Sequence, residues 1–225
     1  MSYYLNFRLV IGTPLWRLYL RWAYKKCIDD FSKLNFSPDF KKQSFTCLLC
    51  GVGNETTADE FIKFTIQRNK KAKIIIIDLG EEQVHAVNKL IQKKYSSLNI
   101  VVKQINALAL DTYFKKDSID WIETDGFLEY FDKDSLYKLL ITWYKLLKQK
   151  GFITLREPAS QGKMEEIIDM LRIWIGKVWL GVTLYLHNKK ELTSLFKKSG
   201  FIYNENTTFI PTFNRYSLIK VSSHL

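Results

Sequence analysis

The sequence predicts an α/β fold: a doubly wound, mostly parallel seven-stranded sheet with an antiparallel edge at the C-terminus and lid helices at the N-terminus. After residue 44, short apolar runs alternate with longer amphipathic segments, which is typical of successive strand–helix–strand units. The last two apolar runs follow one another without a helix between them, as antiparallel neighbours do. A chain of 225 residues suffices for one such domain with a small addition.

The parallel part of the sheet is predicted from five apolar runs, at 45–50, 73–78, 100–105, 119–123 and 151–156. Helices are predicted between them at 57–67, 81–94 and 135–148, and each connection is long enough for a right-handed crossover. A late helix at 189–198 precedes the two edge strands, 201–209 and 216–221. These elements place the main domain at 35–225.

Two segments lie outside this alternation. Residues 1–34 are rich in aromatic and basic side chains and are predicted to form an N-terminal helical appendage or lid. Residues 159–188 are predicted to form a helical insertion near a ligand pocket, because apolar side chains recur there at helical spacing from Met164 to Val178. Its aromatic and aliphatic residues Trp174, Trp179, Tyr185 and Leu186 either line an apolar pocket or pack on the sheet.

Composition restricts the class of protein. An apolar fraction of 47% indicates a packed core, and the net charge of +11 favours anionic partners. The basic residues are scattered, however, which disfavours a nucleic-acid substrate. No apolar run is long enough to span a bilayer, and no secretion signal is recognisable, so we expect a cytoplasmic protein.

The three cysteines are interpreted as buried thiols. Cys47 and Cys50 have the spacing of a redox pair, but they lie inside an apolar strand rather than at the start of a helix. Cys27 is distant in sequence, and no second Cys or His pair completes a metal site. No metal is therefore predicted.

A glycine turn follows the first strand and carries the strongest functional signal. Gly51-Val52-Gly53 allows a sharp turn and close approach to a ligand at the carboxyl edge of the sheet. The next strand ends in Asp78, where a carboxylate can accept hydrogen bonds from both ribose hydroxyls. The third glycine expected for a pyrophosphate is replaced by Thr56, so the pattern favours a nucleoside cofactor without a pyrophosphate.

The chain resembles class I (Rossmann-like) S-adenosylmethionine-dependent methyltransferases over most of residues 45–221. The resemblance rests on six segments that occur in the family's order and spacing: 48–54 (Leu-Leu-Cys-Gly-Val-Gly-Asn), 77–79 (Ile-Asp-Leu), 106–107 (Asn-Ala), 119–130, 146–153 and 187–201. It implies S-adenosylmethionine as cofactor and methyl transfer as reaction. The cofactor-binding residues that it implies are Cys50, Gly51, Val52, Gly53, Asp78, Leu79, Asn106, Ala107 and Thr124.

Two positions depart from the family pattern. Leu49 stands where the family usually has an acid that holds the loop and the cofactor's amino group, and Asn106 stands where an acid usually contacts the adenine. The Asn106 carbonyl can still accept one hydrogen bond from an amino group. A catalytically silent, methyltransferase-like scaffold is therefore the first alternative.

Methyl transfer is an in-line displacement that needs alignment more than a particular catalytic group, so no catalytic residue is assigned. Candidates for a base or an orienting group are Asp125, Glu129, Tyr130, Glu157 and His187. The predicted acceptor is a small molecule, apolar, aromatic or lipid-like. The sequence does not specify the oligomeric state.

Two further enzyme classes and one binding role remain as alternatives. A nicotinamide-dependent reductase is suggested by Tyr144-x-x-x-Lys148, although the serine expected before it is missing. An RNA methyltransferase is disfavoured, since no RNA-binding domain and no Asn-Pro-Pro-Tyr-like motif occur. Peripheral membrane contact through the basic N-terminal helix would suit a binding protein.

Overall fold

The computed structural model describes residues 3–221, which form a seven-stranded sheet flanked by helices. The strand order is β3-β2-β1-β4-β5-β7-β6. The strands are β1 (Thr46–Cys50), β2 (Lys73–Asp78), β3 (Ile100–Gln104), β4 (Ile119–Asp125), β5 (Leu147–Pro158), β6 (Phe201–Thr207) and β7 (Phe213–Lys220). Strands β1 to β5 are parallel, and β7 pairs antiparallel with both β5 and β6, so the predicted fold class and C-terminal edge are confirmed.

Eight α-helices are present in the described part of the chain: α1 (Tyr3–Ile11), α2 (Pro14–Asp29), α3 (Glu55–Arg68), α4 (Glu81–Lys94), α5 (Leu110–Tyr113), α6 (Lys133–Leu146), α7 (Lys163–Ile175) and α8 (Lys189–Lys198). The predicted helix at 135–148 was wrong at its end. Leu147 is extended and pairs with Ile119, so β5 begins where the helical pattern was expected to continue.

Alternating side chains of the sheet supply two separate cores. Leu48 and Cys50 of β1 pack with α6 and α8 on one face. Cys47 and Leu49 pack with α2 and α3 on the other face. Cys47 and Cys50 are therefore free, buried thiols on opposite faces of the sheet, as strand geometry requires for residues three positions apart.

The second N-terminal helix is part of the core. Five side chains of α2 are buried, and two arginines on its outer side reach carboxylates of α3. Arg17 lies 2.8 Å from Asp59, and Arg21 lies 2.6 Å from Glu60. The helix is thereby fixed beside the first glycine turn.

The segment 159–188 differs from expectation in the orientation of its helix. The charged residue Asp169 is fully buried, whereas the apolar side chains on the opposite side of α7 face solvent. Trp174, which we expected to line a pocket or to pack on the sheet, is 60% exposed and does neither. The reason is that the polar side of α7 finds buried partners in the neighbouring loops.

None of the helices between residues 3 and 221 combines the length and apolar composition that crossing a membrane requires. The predicted cytoplasmic location stays a prediction.

Candidate functional site

A cavity of about 840 Å³ opens at the carboxyl ends of β1, β2 and β4. This is the edge at which open α/β sheets bind ligands, because strand order reverses between β1 and β4 and leaves a crevice. One side of the cavity is formed by the turns after the strands. The other side is formed by α1, α2 and the 159–188 segment, through Ile11, Trp16, Ile175 and Trp179.

Asp78 fixes the glycine turn on the strand side. Its two carboxylate oxygens accept hydrogen bonds from the backbone amides of Val52, at 2.6 Å, and Gly80, at 2.7 Å. Burial raises the pKa of this carboxyl, while these amide hydrogen bonds act in the opposite direction. The turn and the predicted ribose-binding acid are thus one hydrogen-bonded unit.

Gly51 is required by geometry as well as by the backbone conformation. Its φ of 76° lies in the left-handed region, and a Cβ atom placed there would lie 2.4 Å from the Phe127 ring. Phe127 also lines the cavity. The close packing of this ring on the glycine joins the turn after β1 to the turn after β4.

Two of the first amides of α3 are already engaged by a side chain. Asn54 caps the helix, and its side-chain oxygen accepts hydrogen bonds from the amides of Thr56, at 2.8 Å, and Thr57, at 3.4 Å. These are the groups that would otherwise bind a pyrophosphate at a helix N-terminus. Their engagement agrees with the interpretation of Thr56 as a sign of a cofactor without a pyrophosphate.

Seven of the nine predicted cofactor-binding residues line the cavity: Gly51, Val52, Gly53, Asp78, Leu79, Asn106 and Ala107. The Asn106 oxygen already accepts a hydrogen bond from the Leu108 amide at 2.9 Å, which leaves it one further lone pair. Cys50 and Thr124 lie beneath the cavity instead, where the Thr124 hydroxyl donates to the Cys50 carbonyl at 2.8 Å.

Three of the five candidate catalytic residues, Asp125, Glu129 and Tyr130, line the cavity. Burial raises the pKa of Asp125, with Arg156 opposing the shift at 3.2 Å. Burial likewise raises the pKa of Glu129, which forms an ion pair with Arg172 of α7. Both oxygens of Asp125 are inaccessible to solvent, and one of them lies beside the Arg156 guanidinium, so this carboxylate is already paired within the protein.

The other two candidates support neighbouring backbone. Glu157 is buried behind the cavity wall, where one oxygen accepts hydrogen bonds from the amides of Phe127, at 2.8 Å, and Leu128, at 3.0 Å. His187 is buried with Nε2 2.9 Å from the carbonyl oxygen of Phe131. Neither side chain lines the cavity.

The tyrosine and lysine that mimic a reductase dyad do not lie at the cavity. The Tyr144 hydroxyl donates to the carbonyl of Val221 at 2.7 Å, and the Lys148 ammonium lies 2.6 Å from Asp120. These contacts give both groups structural roles, which removes the observation that suggested a nicotinamide-dependent reductase.

Several cavity residues were not found from the sequence. Arg172 lies in a helix that was predicted only from its apolar spacing, yet it reaches Glu129. Thr57 and Gln83 line the cavity without belonging to a recognised motif. Phe127 lies inside the recognised 119–130 segment, directly after the fourth strand and its glycine, but it was not named as a site residue.

Solved structures resemble this chain throughout most of its length. An S-adenosylmethionine-dependent methyltransferase from Methanosarcina mazei superposes with a TM-score of 0.60 at 16% identity, covering 81% of this chain and 95% of that one. The geranyl diphosphate C-methyltransferase from Streptomyces coelicolor, solved with S-adenosyl-L-homocysteine, superposes with a TM-score of 0.60 at 11% identity. The match covers 86% of this chain and 80% of that one. The chain has the class I methyltransferase fold.

Sequence comparisons give no such match: neither protein-family models nor curated protein sequences match the chain. The methyltransferase fold is therefore recognised from the structure and from the six short segments. Within this fold, the glycine turn and Asp78 occupy the end of the sheet where the cavity opens.

Proposed function

We propose that the protein transfers a methyl group from S-adenosylmethionine to a small-molecule acceptor that is apolar, aromatic or lipid-like. The observation that supports this most directly is that one cavity joins two different walls. Asp78 and the glycine turn form a polar wall suited to a nucleoside, and Trp16, Trp179 and Tyr185 belong to an apolar wall. A donor and an apolar acceptor could therefore meet in one cavity.

The residues on the polar wall fit the cofactor. Asp78 retains lone pairs for ribose hydroxyls, and the remaining lone pair of Asn106 can accept from the adenine amino group. Leu49 is fully buried in β1 and cannot replace the missing acid. Asp125 lines the cavity, but its carboxylate is paired with Arg156 and does not replace that acid either.

Bound S-adenosylmethionine would supply the methyl group on a sulfonium. The chain's own part is to align the acceptor and exclude water. Glu129 lines the cavity and is our candidate for orienting a polar acceptor atom or taking its proton, with its carboxylate fixed by the Arg172 ion pair. Asp125 is a second candidate at the same wall, although it is paired with Arg156. Tyr130 can assist as a hydrogen-bond donor at the same wall.

The acceptor class is supported by the composition of the second wall. Ile175, Trp179, Leu180, Val182 and Leu184 all line the cavity from the 159–188 segment. One structural neighbour is a geranyl diphosphate C-methyltransferase, which shows that this fold accommodates an isoprenoid acceptor in another protein. The apolar wall favours an acceptor with a substantial hydrocarbon part.

Calorimetric titration with S-adenosylmethionine and S-adenosylhomocysteine tests this function. We expect micromolar binding to the wild type and to Asp39→Ala, which alters an exposed carboxylate in the connection before β1. Asp78→Ala should weaken binding at least tenfold, or about 1.4 kcal/mol. Thermal melts of both variants establish that they fold.

Two results would replace the proposal. If NAD or NADP binds and neither sulfur compound does, the protein is an oxidoreductase. If no nucleoside cofactor binds to the folded wild type, the chain is a catalytically silent scaffold.

A further inference from the structure

An apolar stripe runs along the outer side of α7 and continues past its end. We define the exposed stripe by the side chains that share this face and are open to solvent: Met164, Ile167, Ile168, Leu171, Trp174, Ile175 and Val178. Met164 is 75% exposed and Val178 is 65% exposed. Monomeric proteins rarely expose so many contiguous apolar side chains unless the surface has a binding role.

The helix is held in this orientation by its polar side. The Asp169 carboxylate is fully buried, and it accepts a hydrogen bond from the Thr212 hydroxyl at 2.7 Å. Arg172, one turn further along, forms its ion pair with Glu129 at the cavity. Rotating the exposed stripe inward would leave both carboxylates buried without these partners, which is costly.

Exposed apolar side chains also occur on the N-terminal helices across the cavity. The Asn6 side chain donates to the carbonyl of Trp179 at 2.8 Å, which brings α1 against the chain just after α7. Its neighbour Leu5 is 48% exposed. Leu15 is 77% exposed and precedes Trp16, which lines the same cavity as Ile175.

We propose that the exposed stripe docks on an anionic lipid bilayer, with α7 lying in the plane of the headgroups. An amphipathic helix with Trp, Leu and Ile on one face binds a bilayer in this way. Lys163 and Lys177 are exposed at the two ends of the stripe, where they can contact lipid phosphates. The net charge of +11 favours an anionic surface and opposes a second copy of the chain, which carries the same charge.

The acids of α7 do not prevent this arrangement. Asp169 is buried, Arg172 neutralises Glu129 behind the helix, and Glu165 accepts a hydrogen bond from the Gln161 amide at 2.6 Å. Glu166 is exposed at the first turn, next to Lys163. Glu165 and Glu166 therefore offset the charges of Lys163 and Lys177, and the attraction to an anionic surface comes from the net charge of +11 of the whole chain.

Docking would also place the cavity beside the lipid. Ile175 belongs to the exposed stripe and lines the cavity, so apolar surface is continuous from the outside of α7 to the inside of the site. An acceptor with a hydrocarbon chain could pass from the leaflet into the cavity without crossing water. This consequence rests on the proposed function, whereas docking itself does not.

Vesicle flotation tests the inference on the full chain without any cofactor. Vesicles of phosphatidylcholine with 30% phosphatidylglycerol are compared with vesicles of phosphatidylcholine alone. Leu171→Gln removes one side chain of the stripe that is 56% exposed. Ile202→Gln is the matched control, since Ile202 is 51% exposed on β6, outside the stripe.

We expect the wild type and Ile202→Gln to float with anionic vesicles and to be released by 0.5 M salt. Leu171→Gln should lower the bound fraction at least threefold, and Leu171→Gln/Trp174→Gln should abolish flotation. Brominated lipids should quench tryptophan fluorescence of the wild type more than that of Trp174→Gln.

Equal flotation of all variants, or no flotation of the wild type, would overturn the proposal. Light scattering provides the competing outcome: a wild-type dimer that becomes a monomer in Leu171→Gln/Trp174→Gln would show that a second copy covers the stripe. S-adenosylmethionine binding by the same variants is measured separately without vesicles, so failure of docking and failure of the proposed function are distinguishable.

Discussion

Arg156 of β5 and Glu123 of β4 form an ion pair in which both side chains are completely buried. Asp125, two residues after Glu123 on the same strand, lies on the other side of the guanidinium at 3.2 Å. Arg156 therefore lies between two carboxylates directly beneath the cavity. Because an ion in a protein interior is stable only when its charge is compensated, this group couples the floor of the site to the stability of the sheet.

Replacing the arginine should strongly destabilise the protein. Arg156→Met removes the cation that faces Glu123 and Asp125, and it should lower the free energy of unfolding by about 3–5 kcal/mol. The measurement is urea denaturation above pH 8, where Glu123 is ionised, followed by circular dichroism. Glu123→Gln/Arg156→Met removes one of the uncompensated carboxylates as well, so it should be more stable than Arg156→Met. A double variant less stable than the single variant would contradict this account.

Stability should depend on pH through Glu123. Burial raises its pKa to about 8 from an ordinary value of 4.5, with Arg156 opposing the shift. Between these two values the unfolded chain has lost a proton that the folded protein keeps, so this group lowers stability as pH rises from about 4.5 to about 8. Above pH 8 both states are ionised and the penalty is constant.

Glu123→Gln removes this titration while keeping the shape of the side chain. The variant and the wild type should have similar stability at pH 5. As pH rises to 8, the variant should become progressively more stable than the wild type, as measured by the midpoint of urea unfolding. Parallel curves for the two proteins across this range would show that Glu123 does not titrate in it.

The glycine turn should not tolerate a side chain. Gly51→Ala places a methyl group against Phe127. The left-handed backbone conformation at this position also costs a residue with a Cβ atom about 1–2 kcal/mol. The substitution should therefore lower stability and weaken S-adenosylmethionine binding. Gly162→Ala is the matched control, because no atom lies within 4 Å of the new methyl group. Wild-type binding by Gly51→Ala would show that the turn does not shape the cofactor site.

Glu157 should stabilise the protein through its hydrogen-bonding oxygen rather than through its charge. Glu157→Met leaves the buried amides of Phe127 and Leu128 without an acceptor, at about 1–3 kcal/mol for each. Burial raises the pKa of Glu157 well above its usual range, so Glu157→Gln, which keeps a carbonyl oxygen, should be close to wild type. Thermal melts compare the two. Equal losses in both variants would indicate that the negative charge is required.

The fold and part of the site followed from local sequence features. The strands from β1 to β4 and the glycine turn depend on short apolar runs and on the conformations that glycine allows, which act over a few residues. The position of Asp78 at the end of β2 was sufficient to place it beside Gly51, because parallel strands end at one edge of the sheet. Seven of the nine cofactor-binding residues that the resemblance to methyltransferases implies line the cavity.

Tertiary structure decided what each polar group contacts. The helical spacing in 163–178 predicts an amphipathic helix but not which face is buried, and it was Thr212 and Glu129, distant in sequence, that turned the polar face inward. Glu157 and Glu129 looked equivalent as acids near strand ends, yet only Glu129 reaches the cavity. Periodicity fixes the relative positions of side chains on one element, whereas burial and pairing depend on contacts between elements that no local pattern records.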